Sequence, residues 1–180
     1  KVEIDRKTAG LLCSAIISDT LLFRSPTCTP MDQAAALNLA QIAGIDAEEF
    51  AKEMFEAGSK LKGKTDSEIF YQDFKRFTAG KLTFGVGQIT SLNAEELEKL
   101  RERLLKYIGE ARQEQKVDMM FFMMTNILEQ STDLICDGQG AEQLAAAAFH
   151  LREAANVVKL PGVVSRKKQL IPGLMIATEQ

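Results

Sequence analysis

Six consecutive apolar residues, Met119-Met120-Phe121-Phe122-Met123-Met124, constrain this chain more than any other feature. Successive side chains of an extended strand point to opposite faces, so an unbroken apolar run has to be covered on both sides. The run is a strand in length and far short of the roughly 20 residues that span a bilayer. It is therefore expected at the centre of a sheet with helices packed over it.

The surrounding sequence supplies neighbours for such a strand. Tyr71 to Phe77 and Lys81 to Ile89 are strand candidates about a turn at Ala79-Gly80. Leu134-Ile135-Cys136 reads as a strand ending in the Asp137-Gly138 turn. Val157-Val158 and Val163-Val164 read as short strands about Pro161-Gly162. Asn93 is placed to cap a long helix whose Leu97, Leu100, Leu104, Ile108 and Ala111 form one apolar stripe. Ala141 to Leu151 is a helix of small residues suited to close packing on a sheet. An α/β fold with a mixed β-sheet flanked by helices follows.

The first third of the chain differs in character. Asp5 is a plausible N-cap, with Ala9, Leu12, Ala15 and Ile16 following at helical spacing. Thr29-Pro30 with Asp32 opens a second helix that stops at Gly44, and Asp46-Ala47-Glu48-Glu49 opens a third that ends by Gly58. Residues 58–65 are polar, basic and without periodicity, which suits a linker between a helical segment and the sheet. The chain begins at Lys1 and not at Met, so a piece of a longer protein is expected.

Charge narrows the functional classes. A formal net charge of −3 gives no general attraction to nucleic acid or to an acidic membrane, so an anion site has to be a local concentration of Lys and Arg. One stands out: Ser165-Arg166-Lys167-Lys168-Gln169, directly after a Val-Val pair. Arg beside Lys suits phosphate, the one offering a planar fork of donors and the other a compact charge. A basic cluster is also read as a solvated turn. Lys75, between aromatics in Asp73-Phe74-Lys75-Arg76-Phe77, is either a second cation for such a site or an outward charge beside Asp73. Asp19 closes the first helix between apolar runs, as a cap or as a metal ligand. Phe84-Gly85-Val86-Gly87-Gln88 lacks the spacing of a dinucleotide loop, and close backbone approach within a sheet explains its glycines better.

The single histidine, His150, rules against a complete transition-metal site built from this chain alone. Cys13, Cys28 and Cys136 are odd in number and lack C-x-x-C spacing, so they read as free thiols of a reducing, cytoplasmic setting.

Three segments in order, Ala15-Ile16-Ile17-Ser18-Asp19-Thr20-Leu21-Leu22-Phe23 with Ser25-Pro26-Thr27-Cys28-Thr29, then Asp73-Phe74-Lys75 with Phe77, then Ser165-Arg166-Lys167-Lys168-Gln169 with Pro172, resemble the family II inorganic pyrophosphatases of the DHH phosphoesterase superfamily. The resemblance covers nearly the whole chain. It implies that residues 1–57 are the helical tail of a metal-binding DHH domain, 58–65 a hinge and 66–180 a DHHA2 substrate-binding domain. It implies that Asp19 bridges two metal ions, Mn²⁺ with Mg²⁺ or Co²⁺ as substitutes, whose other ligands lie upstream of Lys1. Lys75, Arg166 and Lys167 would then grip pyrophosphate as catalytic and substrate-binding residues. The resemblance further implies a whole protein that dimerises through its DHH domain and is cytoplasmic, with no nucleic-acid or membrane partner. Nucleotide-sensing CBS domains, present in some members, would precede Lys1. A polyphosphatase of the same superfamily and a non-catalytic anion-binding module are the alternatives.

Overall fold

In the computed structural model, which describes residues 3–58, 61 and 63–179, the chain divides into two units at residues 60/61. The first unit holds three helices, α1 (Arg6–Thr20), α2 (Pro30–Ala43) and α3 (Ala47–Gly58). Each begins where a side-chain oxygen can take up free amides of the first turn. Asp5 accepts from the Lys7 and Thr8 amides, Thr29 and Asp32 form a reciprocal capping box, and Asp46 accepts from the Glu48 and Glu49 amides.

The buried stripe of α1 is Ala9, Cys13, Ile17 and Thr20, not the expected Ala9, Leu12, Ala15 and Ile16; Leu12 is 44% exposed. Small residues decide this. Cys13 and Ile17 pack into Ala36 and Ala40 of α2 and Ala47 and Ala51 of α3, where a bulkier face would hold the helices apart. After Thr20 the chain turns left-handed over three residues, Leu21, Leu22 and Phe23, with φ of 48°, 51° and 66°. Non-glycine residues resist this conformation at about 1–2 kcal/mol each. Burial of Leu22 and bonds from the Leu22 amide to Ile17 O and from the Ser25 amide to Thr20 O hold it.

The second unit begins with Leu61, which is buried, and a short helix α4 (Asp66–Phe70) boxed by Thr65 and Glu68. Ser59, Lys60 and Lys62, part of the segment expected to be a hinge, lie outside the described residues. There follow β1 (Phe74–Ala79), β2 (Leu82–Ser91), α5 (Ala94–Gln115), β3 (Met119–Asn126), β4 (Ser131–Asp137), α6 (Ala141–Ala148), β5 (Val157–Pro161) and, after a π-helical turn at Arg166–Leu170, α7 (Ile171–Ala177). The sheet order is β1-β2-β3-β4-β5. Only β2 and β3 run parallel, and α5 makes the crossover that a parallel pair requires. The sheet is therefore mixed and flanked by helices, as the sequence predicts.

Every residue of β3 is buried. Phe121 and Met123 face one layer with Phe84, Val86, Leu134 and residues of α6 and α7. Met120, Phe122 and Met124 face the other, against α4 and the Leu97, Leu100, Leu104, Ile108 and Ala111 stripe of α5. Gly87 of β2 lies under Phe122, where a Cβ would sit 2.5 Å from the ring and 3.0 Å from Phe70 O. The glycines of β2 thus serve close packing within the sheet.

Three further expectations need correction. Val163-Val164 is not a strand: both residues are buried, but they follow the Gly162 turn as irregular chain whose backbone groups bond to side chains. Tyr71 caps α4 and does not begin β1. The alanine-rich helix stops at Ala148, because His150 turns left-handed (φ 53°) and the Leu151 amide closes on Ala146 O. His150 is an exposed helix terminator.

Candidate functional site

The basic segment is presented by a tightly tied loop. Buried Thr132 of β4 donates through Oγ1 to Val163 O at 2.6 Å. Gln169 reaches back over the same loop: Oε1 accepts the Val164 and Ser165 amides at 2.9 and 3.0 Å, and Nε2 donates to Gly162 O at 2.7 Å. Ser165 accepts the Lys168 amide through Oγ. The Leu170 amide bonds Ser165 O five residues back, which gives the π turn, and fully buried Leu170 anchors it to the sheet.

Arg166, only 7% exposed, turns inward to β1 and β2. Its Nη1 donates to Asp73 O at 2.7 Å and Val86 O at 3.2 Å, and its Nη2 donates to Asp73 Oδ1 at 2.6 Å. A guanidinium carries five N–H donors. Three hydrogen bonds engage Nη1 and Nη2 here, and Nε makes none among the described residues. Nε–H and the Nη2–H beside it are the parallel pair with which a guanidinium matches two oxygens of a phosphate or carboxylate.

Lys75 is directly opposite Val86 in the β1–β2 ladder, so the two side chains share a face of the sheet. Val86 lies on the α6/α7 side and its carbonyl is an Arg166 acceptor. The structure therefore brings Arg166 to the β1–β2 strand pair that carries Lys75, although they are 91 positions apart in the numbering. Lys167 follows Arg166 and is exposed, as are Lys75 and Lys168. The side chains of these three lysines make no hydrogen bond or ion pair among the described residues, whereas those of Lys99 and Lys159 are bonded to Glu95 and Glu129. The edge thus carries cations without carboxylate partners. Asp73 is not the partner of Lys75 that its sequence position suggests; its carboxylate is taken by Arg166 and by Gln88 Nε2 at 2.5 Å. Asp73, Gln88 and Gln169 are the residues that sequence reasoning missed as parts of this site.

Asp19 belongs to the first unit, in the last turn of α1 directly before the left-handed Leu21-Leu22-Phe23 segment. It is exposed and its side chain makes no hydrogen bond or ion pair among the described residues. No three His, Cys, Asp or Glu side chains cluster as a metal site among the described residues. A single unpartnered carboxylate in the last turn of a helix could supply at most one ligand to a divalent cation.

A helix-covered mixed sheet with a cluster of exposed cations at its edge defines an α/β domain. Residues 52–177 match the family model of the DHHA2 domain, and the chain belongs to that family. A cobalt-dependent inorganic pyrophosphatase of Clostridium perfringens is 44% identical over 173 residues, 96% of this chain and 31% of the relative. A manganese-dependent inorganic pyrophosphatase of Bacillus subtilis is 41% identical over 173 residues, 96% of this chain and 56% of the relative. The crystal structure of a Methanococcus jannaschii protein assigned to the family II inorganic pyrophosphatases superposes with a TM-score of 0.85 at 37% identity, covering 100% of this chain and 58% of that one. The chain thus spans little more than half the length of most of these proteins.

Proposed function

We propose that this chain is the C-terminal part of a manganese-dependent inorganic pyrophosphatase, in which Lys75, Arg166 and Lys167 bind the substrate and Asp19 is one metal ligand. The observation that carries the reading is Arg166: it is buried, fixed by three hydrogen bonds and left with Nε unbonded, on the strand pair that carries Lys75. The names of relatives about 40% identical over nearly the whole chain point the same way.

The reaction cleaves one P–O–P bridge with water and yields two phosphates. Divalent cations, when bound, supply positive charge and lower the pKa of a coordinated water. Substrate negative charge repels an incoming nucleophile, and Lys75, Arg166 and Lys167 offset it from the protein side. Arg166 orients two oxygens through its fork, while the lysines act as mobile point charges. Asp19 would hold metal from the first unit, the tail of a DHH domain, with residues 58–65 as the hinge between it and the DHHA2 domain. The remaining ligands would come from upstream sequence, through which the whole protein would also dimerise. Three unpaired cysteines and a net charge of −3 suit a cytoplasmic enzyme without nucleic-acid or membrane partners.

Phosphate release by the whole protein with Mn²⁺, offered pyrophosphate or long-chain polyphosphate, tests the proposal. Rapid cleavage of pyrophosphate alone is expected, and Lys75→Ala, Arg166→Ala or Lys167→Ala should each lower kcat/KM about a hundredfold or more. Preference for polyphosphate would move the protein to the sister activity. Turnover of neither would leave an anion-binding module.

A further inference from the structure

We infer that Asp73 is the positioning residue of the anion clamp: it holds Arg166 by its end so that the guanidinium presents its side-on fork to the bound phosphate. The inference rests on the clamp reading above and adds a residue to it. A buried arginine with three rotatable bonds beyond Cβ is a poor fork unless something fixes its plane. Asp73 does so from two atoms at once, its main-chain oxygen accepting from Nη1 and its carboxylate oxygen Oδ1 from Nη2. Two anchors on adjacent nitrogens define the guanidinium plane, and Val86 O adds a third.

Asp73 is itself fixed. Its other carboxylate oxygen accepts from Gln88 Nε2, and its main-chain oxygen also accepts the Gln88 amide at 3.1 Å. Both carboxylate oxygens are therefore committed to protein donors. The carboxylate bonds Nη2 and the Asp73 main-chain oxygen bonds Nη1, while Nε stays without a partner among the described residues. Asp73 and an incoming phosphate would thus occupy different edges of the same group. This arrangement supports positioning, not competition, even though Asp73 puts a negative charge close to an anion site. Removing that charge while keeping an acceptor separates geometry from electrostatics.

The test measures kcat and KM for pyrophosphate, and inorganic phosphate binding by equilibrium titration, on the whole protein and its variants. Asp73→Ala should weaken phosphate binding and raise KM about tenfold or more, the scale of a lost charge-assisted hydrogen bond. Asp73→Asn, which keeps an oxygen for Nη2, should fall between wild type and Asp73→Ala. In an Arg166→Ala background Asp73→Ala should change binding less than about twofold, because its effect passes through the arginine. Additive losses in the double variant, or tighter phosphate binding by Asp73→Ala, would overturn the inference. If Asp73→Ala does not fold, the intermediate affinity of Asp73→Asn and its loss in the Arg166→Ala background decide the matter. A wild type that binds phosphate without cleaving pyrophosphate would refute the enzyme reading and leave the Asp73–Arg166 coupling readable by titration. A wild type that binds no phosphate would refute both.

Discussion

Gln169 folds back on Val164, accepting its amide at 2.9 Å through Oε1 while Nε2 donates to Gly162 O. A side chain here does the work of a neighbouring strand, satisfying backbone groups that the irregular Gly162–Ser165 segment leaves free. Gln169→Ala strands two amides and a carbonyl together, and should lower stability by about 1–3 kcal/mol. Because the same loop carries Arg166 and Lys167, phosphate binding should weaken as well. Urea denaturation and phosphate titration of the variant check both effects; an unchanged midpoint would mean that the loop holds its shape without the glutamine.

Gly87 and Phe122 give a second prediction. A Cβ at Gly87 meets the Phe122 ring at 2.5 Å on one side and the Phe70 carbonyl at 3.0 Å on another. Phe122 and Phe70 are both fully buried and pack with ring centroids 4.7 Å apart and planes tilted by 32°, so neither ring has room to retreat. Gly87→Ala should therefore destabilise by about 1–3 kcal/mol through overpacking. Equilibrium unfolding measures it. A neutral outcome would show that the layer between sheet and α5 is more yielding than its packing indicates.

The sheet was legible because β3 is apolar on both faces, and α5 because Leu97, Leu100, Leu104, Ile108 and Ala111 fall on one stripe; all five are buried. Helix starts at Asp5, Thr29 and Asn93 were legible because capping is local chemistry. What failed depended on distant partners. The α1 stripe is set by which alanines α2 and α3 present, and no periodicity within α1 reveals that. Val163-Val164 has strand composition, but its carbonyl and amide are taken by Thr132 and Gln169 side chains. The cations of the site were visible as a basic cluster. Their organiser was not, because Asp73 and Arg166 are separated by 93 residues and meet only through the fold.

The thiols should divide by burial. Cys13 is fully buried and Cys136 is 4% exposed, while Cys28 is half-buried in the loop before α2. Burial raises the Cys13 thiol, and burial together with Glu142 pushes Cys136 up to about 12. Both stay protonated and shielded at neutral pH, and thiolate is the reactive form. Titration with a thiol reagent at pH 7–8 should modify Cys28 quickly and the other two only on unfolding. Fast modification of all three in the native protein would contradict this packing.

Asp118 and Thr83 clasp the start of the parallel β2–β3 pair and make its pH dependence predictable. Asp118 Oδ2 accepts from the Thr83 amide at 2.7 Å and from Thr83 Oγ1 at 2.8 Å, while the Asp118 amide donates to Thr83 O at 2.9 Å. The bonds from the Thr83 amide and hydroxyl hold the folded pKa of Asp118 below its ordinary 3.8. A depressed folded value means that the unfolded chain binds the proton more readily, so the contribution is fully present above 3.8 and is lost as pH falls through the folded value. Asp5, Asp32 and Glu68, also lowered by hydrogen bonds, have the same sign, so acid unfolding alone cannot isolate Asp118. A comparison with Asp118→Asn can. The variant should be less stable than wild type at pH 7, and the difference should shrink steadily below pH of about 4 as the wild-type carboxylate takes its proton. Thr83→Val, which removes the hydroxyl donor and keeps the amide, should show a smaller version of the same convergence. Parallel stability curves for wild type and Asp118→Asn from pH 7 to pH 2 would mean that the charge on Asp118 contributes nothing to the clasp.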